Sequence, residues 1–123
     1  MRMEKRVEYR RGDILWIQCQ PSIGVEPRKV RTCVVVSNDV ANEFGQGVTV
    51  VPTQGFTTER MRRAYMVDLR RPRSNLEAAR LANCSMVMTY DRRRVVKRAG
   101  SISEATHEAV DRALSIHLGL AVG

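Results

Sequence analysis

Along the chain, short apolar runs alternate with polar stretches rich in Pro, Gly or Arg, and a helical period emerges near the end. The run "ILWIQC" (14–19) is branched and aromatic, which predicts a strand entered from a turn at "RRGD" (10–13). "TCVVVS" (32–37) lacks polar alternation, the pattern of a strand buried on both faces. "VTVVPT" (48–53) predicts another strand, stopped or bent at Pro52 because proline cannot donate to a ladder. "AYMVDL" (64–69) and "SMVMTY" (85–90) read as further strands. Between them lie a loop at 21–29 with two prolines and a glycine, a turn-rich stretch at 38–47 and a polar, basic stretch at 54–63. Residues 70–84, "RRPRSNLEAARLANC", contain a turn and a short helix at "LEAAR"; residues 1–10 read as a loose basic arm.

The final element has the clearest boundaries. In "SISEATHEAVDRALSIHLGL", Ser101 or Ser103 can cap a helix, with Glu104 in its first turn. Ala105, Ala109, Val110, Ala113, Leu114 and Leu118 fall on its apolar stripe, and Gly119 stops it. Five or more short strands closed by one amphipathic helix predict a mainly β fold, a small antiparallel barrel.

Composition narrows the function. With 123 residues and 43% hydrophobic content, a single domain over residues 1–123 can bury an ordinary core. No apolar run approaches the ~20 residues of a membrane helix. The start, "MRMEKRVEYRRGD", has no apolar segment to act as a signal, so no membrane partner and a cytoplasmic location are expected. Cys19, Cys33 and Cys84 show no metal-ligand spacing and read as buried thiols. The charge is more pointed: 21 basic residues stand against 13 acidic, and 18 of the 21 are arginine. The first hundred residues carry a net charge of +10, so the excess belongs to the body rather than the closing helix. Arginine suits bidentate phosphate contacts and stacking on bases, which points to a nucleic-acid partner.

Two basic clusters could hold phosphate: Arg28, Lys29 and Arg31 around the loop, and Arg92, Arg93, Arg94, Lys97 and Arg98 in "DRRRVVKR". Each reads equally as a solvated charged face. Glu26 and Asp91 lie among these cations, which favour their ionised forms, so each is a candidate proton acceptor or a structural partner for arginine. His107 and His117 are ten residues apart on one helix, turned by about 280° and separated by roughly 15 Å, and cannot flank one phosphate within a chain. No Cys/His cluster has zinc spacing, so no metal is expected.

The stretch "RRGDILWIQCQPSIGVEPRKVRTCVVVSNDVANEF" resembles the opening of the MazF/PemK/Kid toxins of bacterial toxin–antitoxin pairs. Arg11-Gly12-Asp13, Trp16, Pro21, Gly24, Glu26, Lys29, Arg31, Val34 to Val36 and Ser37-Asn38-Asp39 match the family's ordered pattern. Downstream, "MVMTYDRRRVV" is similar to its D-Q-x-R segment, with Asp91 and Arg94 in register. The resemblance implies an SH3-like (PemK/CcdB-like) antiparallel β-barrel with a C-terminal α-helix, usually a homodimer. It implies a metal-independent endoribonuclease that needs no cofactor and cuts single-stranded RNA through 2′-hydroxyl attack. It also implies a MazE-like antitoxin whose acidic C-terminal segment occupies the basic groove.

Carried over by position, Arg31 takes the catalytic arginine's place, where a guanidinium stabilises charge developing on the phosphate. Glu26 and Asp91 remain the candidates for general base. An ungapped alignment sets Gln54 on the catalytic threonine, with Thr53 one residue early; a one-residue slip reverses the face of a strand residue, so both stay open. RNA contacts are implied at Arg28, Lys29, Ser37, Thr89, Arg92 and Arg94. Thr32 stands where the family has proline, Thr89 where Kid-type members have arginine, and Arg92 where they have glutamine. Two other readings share the same features. One is a binding barrel without catalysis; the other is a CcdB-like gyrase poison, which would use a tryptophan close to the C-terminus, whereas this chain's only tryptophan is Trp16.

Overall fold

The computed structural model describes residues 6–19 and 30–120. Strands β1 (Asp13–Gln18), β2 (Val30–Val35) and β3 (Gly47–Gly55) are joined in antiparallel register, Leu15 opposite Cys33 and Cys33 opposite Pro52. Strands β4 (Met66–Asp68), β5 (Arg80–Asn83), β6 (Met88–Asp91) and β7 (Val95–Ser101) complete a seven-stranded sheet in the order β4-β5-β3-β2-β1-β7, with β6 also beside β3. All pairings are antiparallel. Among the described residues no pairing joins β7 to β6 or to β4, so the expected barrel is a curled sheet that does not close.

The apolar runs explain why the central strands hold. Ile14, Val34 and Val51 face one core, shared with Val67, Leu69, Ala82 and the inner side of the last helix. Leu15, Ile17, Cys33, Val35, Val48 and Val50 face the other. β2 is thus buried on both sides, as its unbroken apolar run predicts, and each fully buried Val, Leu or Ile contributes about 1.5–3 kcal/mol. The second core is roofed by Val7 and Tyr9, and the Arg92 guanidinium sits 4.6 Å from the Tyr9 ring centroid. Residues 6–10 are therefore packed rather than a loose arm.

β3 is longer than expected and runs through Pro52. It pairs with β2 up to Pro52 and with β5 from Thr53 onward, so the proline marks a change of partner instead of an end. Two helices occupy stretches read as turn or polar segment: α1 (Asp39–Phe44), capped by the Asn38 side chain, and the one-turn α2 (Thr58–Met61), capped by Thr57. The helix expected at "LEAAR" is absent; its Arg80 opens β5, where pairing with β3 overrides helical propensity.

Helix α3 (Glu104–Leu118) begins at the Ser103 cap and ends at Gly119 in the left-handed conformation (φ 68°), as the sequence predicts. Its buried side is Thr106, Val110 and Ala113 with Leu114 packed alongside, whereas Ala105, Ala109 and Leu118 of the expected stripe face outward. The phase is set where the helix meets the turn before β1: His107 lies against Gly12, and a Cβ on that glycine would overlap the imidazole. Gly12 also has φ 91°, which an L side chain rarely adopts. Arg11 ties the same corner together, donating from Nε to the Val36 carbonyl at 2.9 Å and from Nη2 to Asp111 at 2.6 Å.

Candidate active site

Where β3 leaves β2, the two strand ends bring Thr32 and Thr53 together, their hydroxyls 2.5 Å apart. Both side chains are buried, at 7% and 2% exposure. Opposite them β5 supplies Arg80, which donates from Nε to Thr53 Oγ1 at 2.9 Å and from Nη2 to the Thr53 carbonyl at 2.8 Å. Partial burial, then the neighbouring charges of Arg31 and Arg60, hold the Arg80 guanidinium below its ordinary pKa. Arg60 reaches over from α2 and donates to the Gly55 carbonyl at 2.9 Å. Arg60 and Arg80 bring their Nη1 atoms to 3.8 and 4.0 Å from where a Cβ on Gly55 would lie, and among the described residues neither is ion-paired. Arg31, next to Thr32 on β2, leaves the opposite face of that strand and adds its charge from farther off. Such crowding costs free energy until an anion neutralises it, which makes the place suited to phosphate.

Gln54 faces away from Thr53, as adjacent strand residues must. It accepts from Asn83 Nδ2 at 3.2 Å and lines a cavity of about 480 Å³ with Arg60, Arg63, Tyr65 and Asn83. The structure therefore separates the two candidate residues: Thr53 belongs with Thr32 and Arg80, Gln54 with Asn83. Arg31 is exposed at the start of β2. Glu26, Arg28 and Lys29 lie outside the described residues.

Asp91 is not brought to this place. It pairs with Gly47 at the other end of β3, six residues and about 20 Å of strand from Thr53. Its carboxylate caps the 3-10 turn Arg92–Arg94 and takes Arg93 in a two-oxygen grip, with bonds of 3.0 Å from Nε and 2.9 Å from Nη2. Those bonds to Arg93 lower its pKa to about 2, a value that makes a weak proton acceptor.

The expected RNA contacts divide. Thr89 is exposed on β6, 2.8 Å from the Thr49 hydroxyl across the ladder. Arg92 turns inward: its Nη1 donates to the Asn42 and Gly45 carbonyls at 2.5 and 3.2 Å, behind the Tyr9 ring. Ser37 is a latch between β2 and α1, donating to Asn42 Oδ1 at 2.5 Å and accepting from the Thr49 amide at 3.1 Å. Arg94 donates to the Gln18 carbonyl at 3.3 Å. Arg60, Arg80 and Asn83 were not expected. For Arg80 and Asn83 the signal was the alternation in "RLAN", where Leu81 and Asn83 face one way and Arg80 and Ala82 the other, masked by the helical bias of "LEAAR"; Arg60 stood in the basic stretch at 54–63 with no signal to single it out.

A small, curled antiparallel sheet with a C-terminal helix and an arginine-lined strand end defines a small β domain with a basic edge. The family model described as "PemK-like, MazF-like toxin of type II toxin-antitoxin system" matches residues 10–118, and the chain belongs to that family. Endoribonuclease MazF9 of Mycobacterium tuberculosis is 33% identical over 118 residues, spanning 90% of this chain and 97% of that protein. Endoribonuclease EndoA of Bacillus subtilis is 25% identical over 114 residues, spanning 90% and 95%. Among solved structures, an endoribonuclease in complex with its cognate antitoxin from a mycobacterial species superposes with a TM-score of 0.74 at 17% identity, over 94% of this chain and 99% of that one. That last likeness shows the fold.

Proposed function

We propose that this MazF-like toxin is an endoribonuclease that cleaves single-stranded RNA at the Thr53 end of β3. The family match and the two named endoribonucleases support the activity. The observation that carries the location is the Arg80 guanidinium bonded to Thr53 beside the Thr32–Thr53 hydroxyl pair, with Arg60 close by and the charge of Arg31 within electrostatic reach. In this reading the 2′-hydroxyl of one nucleotide attacks its own 3′-phosphate, the 5′-oxygen of the next nucleotide leaves, and the ends are a 2′,3′-cyclic phosphate and a 5′-hydroxyl. Arg31 stabilises the charge gathering on the non-bridging oxygens, worth about 10²–10³ in rate for one such donor. With Asp91 held at the far end of β3, Glu26 takes the role of proton acceptor.

A MazE-like antitoxin is the expected protein partner, supported by the antitoxin-bound neighbour and by the basic body of the chain, which suits an acidic segment. The homodimer and the single-domain organisation are carried from the family likeness. Trp16, the residue a gyrase poison would need near its C-terminus, instead lies on β1 opposite Thr32.

Purified protein incubated with long single-stranded RNA in excess EDTA, beside Arg31→Ala, tests the reading. Discrete cuts with 5′-hydroxyl ends, lost in the variant, are expected. RNA that is bound but left intact would overturn the enzyme and leave a binding module.

A further inference from the structure

Thr53 is almost fully buried, so its hydroxyl does not face the surface that RNA would meet; what stands over it is Arg80. Two of the three guanidinium nitrogens are used on Thr53, one on its hydroxyl and one on its carbonyl. Two bonds to a single residue fix the plane of the fork as well as its position. The third nitrogen, Nη1, has no hydrogen-bond partner among the described residues and is 4.0 Å from where a Cβ on Gly55 would lie. Gly55 directly faces Arg80 across the ladder and puts no side chain of its own there, and the Arg60 Nη1, 3.8 Å from the same Cβ position, stands beside the outer end of the guanidinium as a second cation. Thr32 completes the arrangement by meeting the Thr53 hydroxyl from the other strand.

We infer that Arg80 is a second phosphate-binding catalytic arginine in addition to Arg31, and that Thr53, with Thr32 behind it, is the positioning residue that aims it. This rests on the ribonuclease reading above and assigns the work at β3 to a different atom: the Arg80 Nη1 donor, not the threonine hydroxyl, meets the scissile phosphate. A fork pinned before substrate arrives loses little rotamer freedom on binding, which is why a buried threonine is useful here. The charge crowding around Arg80 works in the same direction, because the arriving phosphate relieves it.

The test uses the full chain, a cleavable single-stranded RNA and a fully 2′-O-methylated version of the same sequence, which binds without being cut. Arg80→Gln is expected to lower kcat about a hundredfold. The slope of log Kd against log salt for the methylated RNA is expected to shrink by about 0.7, the loss of one phosphate contact on a single strand. Arg80→Lys keeps the charge and therefore the slope, but loses the fork and most of kcat. Thr53→Val lowers kcat in the wild-type background and has no further effect in Arg80→Gln, since nothing is left to aim.

A salt slope unchanged in Arg80→Gln overturns the phosphate contact. So does a Thr53→Val loss that is equally large in both backgrounds, which would give the threonine an action of its own. If Arg80→Gln does not fold, the Arg80→Lys pairing of an unchanged slope with lost turnover carries the test, and full turnover in that variant overturns the proposal. If the wild-type protein leaves RNA intact, the ribonuclease reading fails, while the slope comparison still decides whether Arg80 meets phosphate.

Discussion

Thr32 Oγ1 and Thr53 Oγ1 lie 2.5 Å apart at the point where β3 exchanges β2 for β5 as its partner. One hydroxyl must donate to the other, and Thr53 Oγ1 also accepts from Arg80. The pair is therefore a buried polar joint in an otherwise apolar seam, and its members depend on one another. Thr32→Val is expected to cost about 1 kcal/mol of stability, because Thr53 keeps its bond to Arg80. Urea unfolding of the variant checks this; a loss above about 3 kcal/mol would mean that Thr32 holds the strands together rather than the side chain.

Arg92 is expected to matter for folding and not for RNA. Its contacts run to the Asn42 and Gly45 carbonyls and over Tyr9, joining the N-terminal segment to the end of α1. Arg92→Ala should cost about 2 kcal/mol or more, since it leaves buried carbonyls without a charged donor. The salt slope of RNA binding should stay as in the wild type. A reduced slope with unchanged stability would return Arg92 to the RNA surface.

Asp91 gives a pH signature. The bonds from Arg93 lower its pKa to about 2, against about 3.9 for an unfolded aspartate. A depressed folded value means that the cap's contribution is complete above about pH 4 and is lost as pH falls through about 2. The difference in melting temperature between the wild type and Asp91→Asn should therefore be flat from pH 7 to pH 5 and close as the pH falls from about 4 to 2. A difference that persists at pH 2 would show that charge is not what the cap supplies.

Gly12→Ala meets two obstacles at once, a φ of 91° and the His107 ring. Its cost should reach about 1–3 kcal/mol from the backbone alone. Adding His107→Ala should recover only the overlap. Melting temperatures of the single and double variants separate the two contributions, and full recovery in the double variant would show that the backbone conformation is not strained for alanine.

Much of this architecture is legible from residue order, and the physical reasons are local. Ser103 and Gly119 bracket α3 because a cap and a left-handed stop are chemical properties of those residues. The unbroken "TCVVV" run could only be a strand covered on both sides. What stayed hidden depends on distant partners. "LEAAR" has the composition of a helix, and only docking beside β3 makes Arg80 a strand residue. The basic run after Asp91 looked like one surface, yet Arg93 folds back on that aspartate while Arg92 points into the protein. The choice between Thr53 and Gln54 could not be made from spacing, because it turns on which face of β3 meets Thr32 and Arg80 after the strand passes Pro52.

The exchange of partners at Pro52 has a consequence for how the toxin comes into being. Thr32, Thr53 and Arg80 arrive on three strands spread over the middle of the chain, and the last of them is in place only when β5 has paired with the far half of β3. A ribosome that has released only β1, β2 and half of β3 has not yet brought Arg80 to Thr53. In the order of synthesis the arrangement is therefore completed only after Arg80 has emerged, about two thirds of the way along the chain, so a C-terminal truncation before β5 removes it whole.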